Sequence, residues 1–287
     1  MPRTVAKGFE DLLTKLTPTS TESKAAKDHR KSIKARLESD FEILRFFRTG
    51  SFGNGTSVSG YSDVDYFAWI PVENRPSNSD TALRRVRDGL DARFPNTGVR
   101  VDCPAVHVPF WDGSTEVVPV GYEGETASGH DNFRIPNCSG GWVPSSPEAH
   151  KAYVKRVDEK LGGKVRPLVR FIKAWKFYNS VPISSFYLEL RVAKYATGET
   201  TILYNHDVKR ILAFLNREGI PAIRDPVGVS GLVEPCRTTS QLETARSKVA
   251  TAAKRAERAV NADSSEKTRE AFEWWNKLYN GKFPSYY

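Results

Sequence analysis

The chain has 287 residues and a formal net charge of +9, with 39% hydrophobic and 27% charged residues. This composition is typical of a soluble globular protein with one large or two moderate domains. An apolar run of membrane-spanning length is missing from the sequence, as is a signal-peptide pattern near Met1. We therefore expect a cytoplasmic protein that does not enter membranes.

The positive charge predicts a polyanionic partner, such as nucleic acid or nucleotide phosphates, although the sign alone does not choose between them. Much of this charge lies on predicted helices beside acidic residues, as with Lys254 and Arg258 near Glu257, which is typical of a solvated helix face. RGG, zinc-finger and RNP-like motifs are missing from the sequence. Stable nucleic-acid binding is therefore not expected.

The cysteines are few and widely separated. Cys103, Cys138 and Cys236 form no CxxC pair, so the sequence predicts neither a disulfide framework nor a zinc knuckle. Cys103 and His107 are the only close Cys/His pair. We interpret both as strand residues rather than metal ligands.

The first half of the chain mixes helical and strand patterns. In chain order, the predicted elements are a helix over 5–16, a helix from about Ala25 to Phe47, a glycine turn at 50–56, a first strand over Val64–Ile70, a helix marked by Leu83, Val86, Leu90 and Phe94, and strands over Val99–Phe110 and Thr115–Val120. The last two are predicted to form an antiparallel hairpin. Residues 121–147 lack periodicity and are predicted to be a long loop or a crossover between lobes.

The second half is predicted to be helical. Its helices are expected from Pro147, from about Pro167 to Tyr178, over Ser184–Tyr195, and over 206–218, 240–262 and 265–279. The fold class is therefore α+β: a catalytic lobe over 1–145 with a short mixed sheet, and an α-helical lobe over 146–287. This division is compatible with packing of the N-terminal helices on the second lobe. An active cleft is expected between the lobes.

The most informative stretch is Gly50-Ser51-Phe52-Gly53-Asn54-Gly55-Thr56, which is followed by Ser62-Asp63-Val64-Asp65. Residues at i and i+2 of a strand share one face, so Asp63 and Asp65 are expected to project into one small volume. Two carboxylates there repel each other unless a cation lies between them. The pattern favours metal-assisted handling of a nucleoside triphosphate; the alternative is a polar turn that opens an edge strand.

Nucleotidyl transfer needs two divalent ions, and two aspartates are rarely enough to hold them. A third carboxylate is expected from a neighbouring strand. The predicted hairpin offers Asp102 at its beginning and Glu116 two residues past its turn.

Gly50-Ser51, followed after eleven residues by Asp63-Val64-Asp65, resembles the polymerase-β-type nucleotidyltransferase signature. The fuller motif resembles the bacterial cGAS/DncV-like nucleotidyltransferases and, more distantly, the 2′-5′-oligoadenylate synthetases. In that family the third carboxylate opens a D-V-V-P or D-V-L-P segment. Glu116-Val117-Val118-Pro119 matches that segment with Glu in place of Asp, which favours Glu116 over Asp102.

The resemblance extends to the helical half. Arg170–Lys176 and Ser184–Glu189 resemble the family segment in which a Lys and a Ser hold the triphosphate and an aromatic side chain stacks on a base. By position, these roles fall to Lys173, Ser185 and Phe186. For Phe186, an ordinary core position is the alternative.

The resemblance implies an enzyme that joins ribonucleoside triphosphates into a cyclic di- or trinucleotide second messenger and releases pyrophosphate. It implies catalytic and metal-binding roles for Asp63, Asp65 and Glu116, with two Mg²⁺ ions that Mn²⁺ can replace. Gly50 and Ser51 are expected to contact the phosphates. A monomer is expected, whose product reaches a downstream effector in bacterial antiphage signalling. The alternatives are an RNA 3′-end or small-molecule nucleotidyltransferase, and a non-catalytic nucleotide-binding relative.

Overall fold

The structure is a computed structural model that describes residues 3–287, and these residues form two compact units. The expectation about a signal peptide concerns Met1, which lies outside the described residues. One unit contains residues 18–153 and 227–230, and the other contains the described residues up to Thr17 with 154–226 and 231–287. As functional lobes, 1–145 and 146–287 remain a prediction.

The described chain contains helices and strands in both units. The helices are α1 Val5–Leu16, α2 Ser20–Phe41, α3 Gly50–Asn54, α4 Ser79–Arg93, α5 Pro147–Lys160, α6 Val165–Tyr178, α7 Ser185–Ala196, α8 Tyr204–Arg217, α9 Thr239–Ser264 and α10 Thr268–Leu278. The strands are β1 Arg45–Arg48, β2 Val64–Trp69, β3 Arg100–Asp102, β4 Ala105–Val108, β5 Thr115–Glu125, β6 Asp131–Pro136, β7 Trp142–Ser145, β8 Ile223–Arg224 and β9 Leu232–Val233. None of the helices within residues 3–287 is both long enough and apolar enough to span a bilayer.

The first unit is built on a seven-stranded mixed sheet, which confirms the predicted α+β class. Its strand order is β1-β2-β5-β4-β3, and β6 pairs with both β5 and β7. β2 and β5 are parallel, whereas the other pairs are antiparallel. The parallel pair places the start of β2 beside the start of β5, so residues 63–65 and 114–116 meet at one end of the sheet.

The two faces of this sheet have separate cores. Val64, Tyr66 and Ala68 of β2 pack under the apolar sides of α2 and α4, whereas Phe67 packs with Val118, Val120 and Phe133 on the opposite face. Because side chains alternate along a strand, Asp65 shares its face with Phe67. The helices therefore cover one face of the sheet, and the acidic residues lie on the other.

The prediction of one helix from Ala25 to Phe47, with the first strand after the glycine turn, is wrong. α2 ends at Phe41, where Glu42 adopts a left-handed conformation (φ 52°). The following residues form β1, in which Phe46 stacks on Tyr66 with 4.7 Å between ring centroids. A four-residue strand is too short for its alternation to be separated from a helical pattern in sequence.

The region around the predicted hairpin also differs from expectation. The single strand predicted over Val99–Phe110 is two strands, β3 and β4, which pair with each other. β4 and β5 do form the predicted antiparallel pair. Residues 121–147, predicted as a loop or crossover, instead contain the end of β5 with β6 and β7. Gly129, Gly140 and Gly141 lie in the turns between these strands, whereas Pro136 and Pro144 lie within β6 and β7.

A disulfide joins Cys103 to Cys138, so the prediction that the cysteines form no disulfide is wrong. Cys103 lies just before β4, and Cys138 lies just after β6. β4 and β6 pair with successive parts of β5, so the start of one and the end of the other approach the same point of that strand. Sequence spacing could not reveal this because the approach depends on strand order.

The second unit is mainly helical, with one two-stranded sheet of β8 and β9, and the predicted helices from Pro147 to the C-terminal end are confirmed. Its core is aromatic. Phe9 of α1 contacts Phe171, Trp275 and Phe283 with ring centroids 5.0 to 5.3 Å apart. α1 therefore packs with the helices that follow residue 154, as its apolar positions at helical spacing require.

Candidate active site

The site is organised by a row of residues across the sheet. In the strand register, Asp65 of β2 lies beside Glu116 of β5, Glu116 lies beside His107 of β4, and His107 lies beside Arg100 of β3. Directly opposed residues share one face of a sheet. The ladder therefore brings Asp65 beside a glutamate and a histidine that lie more than 40 residues further along the chain.

Glu116 has the most perturbed acidity in this row. Its pKa is raised from 4.5 to about 8, first by burial and then by the negative charges of Asp65 and Asp63 and a hydrogen bond with Asp65. Each of these effects disfavours the charged form of Glu116. Without a cation, the carboxyl group of Glu116 therefore keeps its proton near neutral pH.

Asp63 lies directly before β2 and is held from the side. The hydroxyl of Ser114 donates a hydrogen bond to Asp63 Oδ1, and His107 Nε2 lies 3.5 Å from the same oxygen. The Ser114 carbonyl also accepts from the amide of Val64 at 3.0 Å, which extends the β2–β5 ladder to the aspartate. Sequence analysis did not identify Ser114 or His107, because only the strand register brings them to Asp63.

Gly50 and Ser51, predicted to lie in a turn, begin the short helix α3. Backbone N–H groups in the first turn of a helix lack intrahelical acceptors and can bind an anion. Gly50 has φ 55°, and a Cβ atom built on it would lie only 1.8 Å from Asp65 Oδ2. The glycine is therefore required by its conformation and because the Asp65 carboxylate lies against its backbone.

The loop between α3 and β2 is fixed by α2. Glu22, the third residue of that helix, forms a capping box with Thr19. Its carboxylate also accepts hydrogen bonds from the hydroxyl of Ser59 at 3.0 Å and from the amide of Gly60 at 2.8 Å. These bonds lower the pKa of Glu22 against the opposing effect of its burial. Glu22 thus holds the middle of the loop over 55–63 that leads to Asp63.

The donor set fits a hard divalent cation in chemistry, although the described residues contain no group of three or more His, Cys, Asp or Glu side chains already arranged to hold a metal. Asp65 and Glu116 share a proton, and Asp63 is held toward Ser114 and His107. Carboxylate oxygens are the ligands that Mg²⁺ prefers. After burial, repulsion by Asp65 and Asp63 is the main cause of the raised pKa of Glu116, and a cation would relieve that repulsion, so these residues fit one.

Asp102, the alternative third carboxylate, lies on β3 and is exposed. Its strand is separated from β5 by β4. Its charge contributes to the raised pKa of Glu116, but less than burial, Asp65 or Asp63 does. The geometry therefore favours Glu116, whose backbone lies directly beside that of Asp65.

The helical unit places Lys173 in its interior. The side chain is 1% exposed, and its Nζ atom lies 3.9 Å from Glu189 Oε2, which is also buried. This arrangement is that of a buried ion pair between α6 and α7.

A second lysine of α6 contacts the predicted serine. Lys176 Nζ donates a hydrogen bond of 2.6 Å to Ser185 Oγ, and Lys176 is only half-buried. Phe186, the next residue, is 38% exposed, so the core alternative for it is wrong. The family resemblance assigned the phosphate-holding role to Lys173 by position, whereas Lys176 lies three residues later on the same helix.

Comparisons with known proteins agree with this fold. Residues 3–158 match the Second Messenger Oligonucleotide or Dinucleotide Synthetase domain. A cyclic AMP-AMP-AMP synthase from Acinetobacter sp. is 24% identical over 312 residues, which cover 98% of this chain and 86% of that protein.

Solved structures show the same fold. Escherichia coli MS115-1 CdnC with ATP superposes with a TM-score of 0.74 at 19% identity, covering 98% of this chain and 99% of that one. The Vibrio cholerae DncV cyclic AMP-GMP synthase, in complex with the linear intermediate pppA(3′,5′)pG, superposes with a TM-score of 0.75 at 14% identity, covering 96% and 94%.

The matched region contains Asp63, Asp65 and Glu116, and it covers more than half of the chain. The protein is therefore a nucleotidyltransferase. It belongs to the Second Messenger Oligonucleotide or Dinucleotide Synthetase family, which confirms the resemblance of its glycine and aspartate motifs.

Proposed function

We propose that this enzyme joins ribonucleoside triphosphates into a cyclic di- or trinucleotide second messenger and releases one pyrophosphate for each linkage. The observation that carries the proposal is the alignment of Asp65 with Glu116 beside Asp63, with the pKa of Glu116 raised to about 8. In the free protein these carboxyl groups repel one another without a cation between them. Such a cluster suits a reaction in which divalent cations arrive bound to a triphosphate.

Asp63, Asp65 and Glu116 would hold two Mg²⁺ ions, for which Mn²⁺ can substitute. A bound divalent ion supplies neutralisation of phosphate charge and acidification of the attacking ribose hydroxyl. Glu116 must lose its proton to become a ligand. Asp65 accepts the hydrogen bond that holds this proton in the free protein.

The remaining residues position the triphosphate. Gly50 contributes its backbone N–H and Ser51 its N–H and hydroxyl at the first turn of α3. In the helical unit, we assign the phosphate-contacting charge to Lys176 rather than Lys173, because Lys176 is already bonded to Ser185. The exposed ring of Phe186 offers a face on which a base can stack.

The linear intermediate bound by DncV supports a stepwise reaction at one set of carboxylates. One step joins two nucleotides, a second adds a third nucleotide where the product is a trinucleotide, and the last step closes the ring. The cyclic product would be recognised by a separate effector in bacterial antiphage signalling. We propose that the synthesis takes place in the cytoplasm.

The test is to incubate the protein with the four common ribonucleoside triphosphates and Mg²⁺ or Mn²⁺, treat the mixture with phosphatase, and record a mass spectrum. We expect a phosphatase-resistant product with the mass of two or three linked nucleotides and no terminal phosphate. Asp63→Ala with Asp65→Ala should abolish it. The matched control, Asp88→Ala with Asp91→Ala on the exposed side of α4, should leave it unchanged.

Three outcomes separate this proposal from its alternatives. Extension of a labelled RNA 3′ end, or transfer to a small molecule, would indicate a different transferase on the same fold. Nucleotide binding without product would indicate a non-catalytic relative. Full synthesis by the Asp63/Asp65 double variant would overturn the assignment of the site.

A further inference from the structure

We propose that Ser114 and His107 are positioning residues that hold Asp63 through its Oδ1 atom and thereby set the affinity of the carboxylate site for divalent cations. This inference rests on the proposed function, because it concerns the cation that the carboxylates would bind. It adds two residues, from β4 and from the turn before β5, that the motif comparison does not assign.

The first step is the convergence of both contacts on one oxygen. Ser114 Oγ donates to Asp63 Oδ1, and His107 Nε2 approaches the same atom at 3.5 Å. Among residues 3–287, these are the hydrogen bond and the ion-pair contact of the Asp63 side chain, and both are made to Oδ1. The Asp63 side chain is 35% exposed, so a cation can reach it from solvent.

The second step is that the backbone fixes both partners. Val64 pairs with Thr115 at the start of the parallel β2–β5 ladder, and the Val64 amide donates to the Ser114 carbonyl at 3.0 Å. His107 is the registered partner of Glu116 and is 9% exposed. His107 is thus held beside Asp63 by the β4–β5 register, and Ser114, directly before β5, is held there by the hydrogen bond from Val64 to its carbonyl.

The third step concerns the cost of placing a histidine here. His107 Nδ1 is buried and has no hydrogen-bond partner among the described residues. A buried polar atom without a partner is unfavourable and calls for an explanation. The approach of the other ring nitrogen, Nε2, to Asp63 Oδ1 gives a reason for a histidine at this position.

The fourth step is the need for orientation at this aspartate. Asp63 precedes β2, so the ladder does not fix it as it fixes Asp65 and Glu116. Residues that orient metal ligands from behind change metal affinity by about 10- to 100-fold when they are removed. Asp63 is therefore the ligand whose geometry depends most on side-chain support.

The test measures Mn²⁺ binding to the metal-free full chain by electron paramagnetic resonance, without nucleotide. We expect Ser114→Ala to weaken Mn²⁺ binding about 10-fold and Ser114→Ala with His107→Asn about 100-fold. Ser114→Thr keeps the hydroxyl, and His107→Gln keeps a donor near the Nε2 position, so both should retain most of the affinity. In synthesis assays, Ser114→Ala and the double variant Ser114→Ala with His107→Asn should need more Mg²⁺ than the wild type. Both should approach the wild-type rate at saturating Mg²⁺.

The chain offers a matched control on the same sheet. Ser128 Oγ lies 3.0 Å from His130 Nδ1 in the turn between β5 and β6, away from the carboxylates. Ser128→Ala with His130→Asn should leave Mn²⁺ affinity unchanged. Thermal melting in EDTA checks that each variant is folded, and if the His107 variants do not fold, the comparison of Ser114→Ala with Ser114→Thr decides.

The outcomes separate this inference from the proposed function. If the wild-type protein binds no Mn²⁺, or if Asp63→Asn leaves Mn²⁺ binding unchanged, the proposed metal site itself is wrong. If Asp63→Asn weakens binding but Ser114→Ala does not, the metal site stands and the positioning roles are overturned. A uniform loss of melting temperature, with unchanged Mn²⁺ affinity, would also overturn them.

Discussion

The carboxylate row of the sheet and the lysine-bearing helices α6 and α7 differ in how closely their sequence motifs determine structure. In the sheet, the parallel register of β2 and β5 places Glu116 beside Asp65, as the family resemblance implied, and that register allows few alternatives. On α6, two lysines three residues apart have different environments: Lys173 is buried against Glu189, and Lys176 is bonded to Ser185. Motif spacing is therefore a better guide to a site on strands than to one on a helix.

The largest effect is expected from Gly50→Ala, which tests how tightly the sheet site is built. A Cβ atom at this position would lie 1.8 Å from Asp65 Oδ2, so the carboxylate or α3 must move. We expect synthesis to fall by about 10²-fold, the effect of a misplacement of about 1 Å. Gly53→Ala is the control, because the nearest atom to its Cβ would be 3.4 Å away. Equal activity of the two variants would contradict the close packing of Asp65 on Gly50.

The second prediction separates the two lysines. Lys173→Met removes the partner of a buried carboxylate and should lower the free energy of unfolding by about 3–5 kcal/mol. Lys176→Met should leave stability nearly unchanged and raise the KM for triphosphate by about 10-fold, because a charged hydrogen bond to phosphate is lost. Urea unfolding and steady-state kinetics measure the two effects. The reverse pattern would return the phosphate-binding role to Lys173.

These lysines show where sequence reasoning ends. The fold class, the six C-terminal helices and the glycine and aspartate motifs follow from periodicity and spacing. The contacts of Asp63 with Ser114 and His107 do not, because they depend on strand register between segments that sequence does not align. β1 was missed because four residues carry too little alternation to define a strand.

The third prediction concerns the disulfide in the sheet-bearing unit. Cys103 and Cys138 are separated by 35 residues, and this loop includes Glu116 and His107. Replacing both cysteines with serine should lower the free energy of unfolding by about 3–4 kcal/mol through the added freedom of the unfolded chain. Urea unfolding with and without dithiothreitol measures the effect. A wild-type protein whose stability does not respond to reductant, and a double variant as stable as wild type, would contradict it.

The fourth prediction is a pH dependence of stability that arises from Glu116. Its pKa is raised from 4.5 to about 8 in the metal-free folded protein, so the folded state holds a proton that the unfolded state releases. This contribution to stability is fully present below pH 4.5 and is lost as the pH rises toward about 8. The slope is at most about 1.4 kcal/mol per pH unit.

Urea unfolding in EDTA across this range should show the decline for wild type, whereas Glu116→Gln should show a flatter profile. Mg²⁺ should reverse the decline, because cation binding favours the deprotonated carboxylate. A wild-type profile parallel to that of Glu116→Gln would indicate that the pKa of Glu116 is not raised.

The most direct test of the carboxylate site is pyrophosphate release from mixed ribonucleoside triphosphates by wild-type protein and by Asp65→Asn, a substitution that preserves shape and removes the charge. The site described here predicts cation-dependent release by wild type, none in EDTA, and a loss of at least about 10²-fold in a folded Asp65→Asn protein. Release by Asp65→Asn at the wild-type rate would contradict the assignment of catalysis to this row of carboxylates.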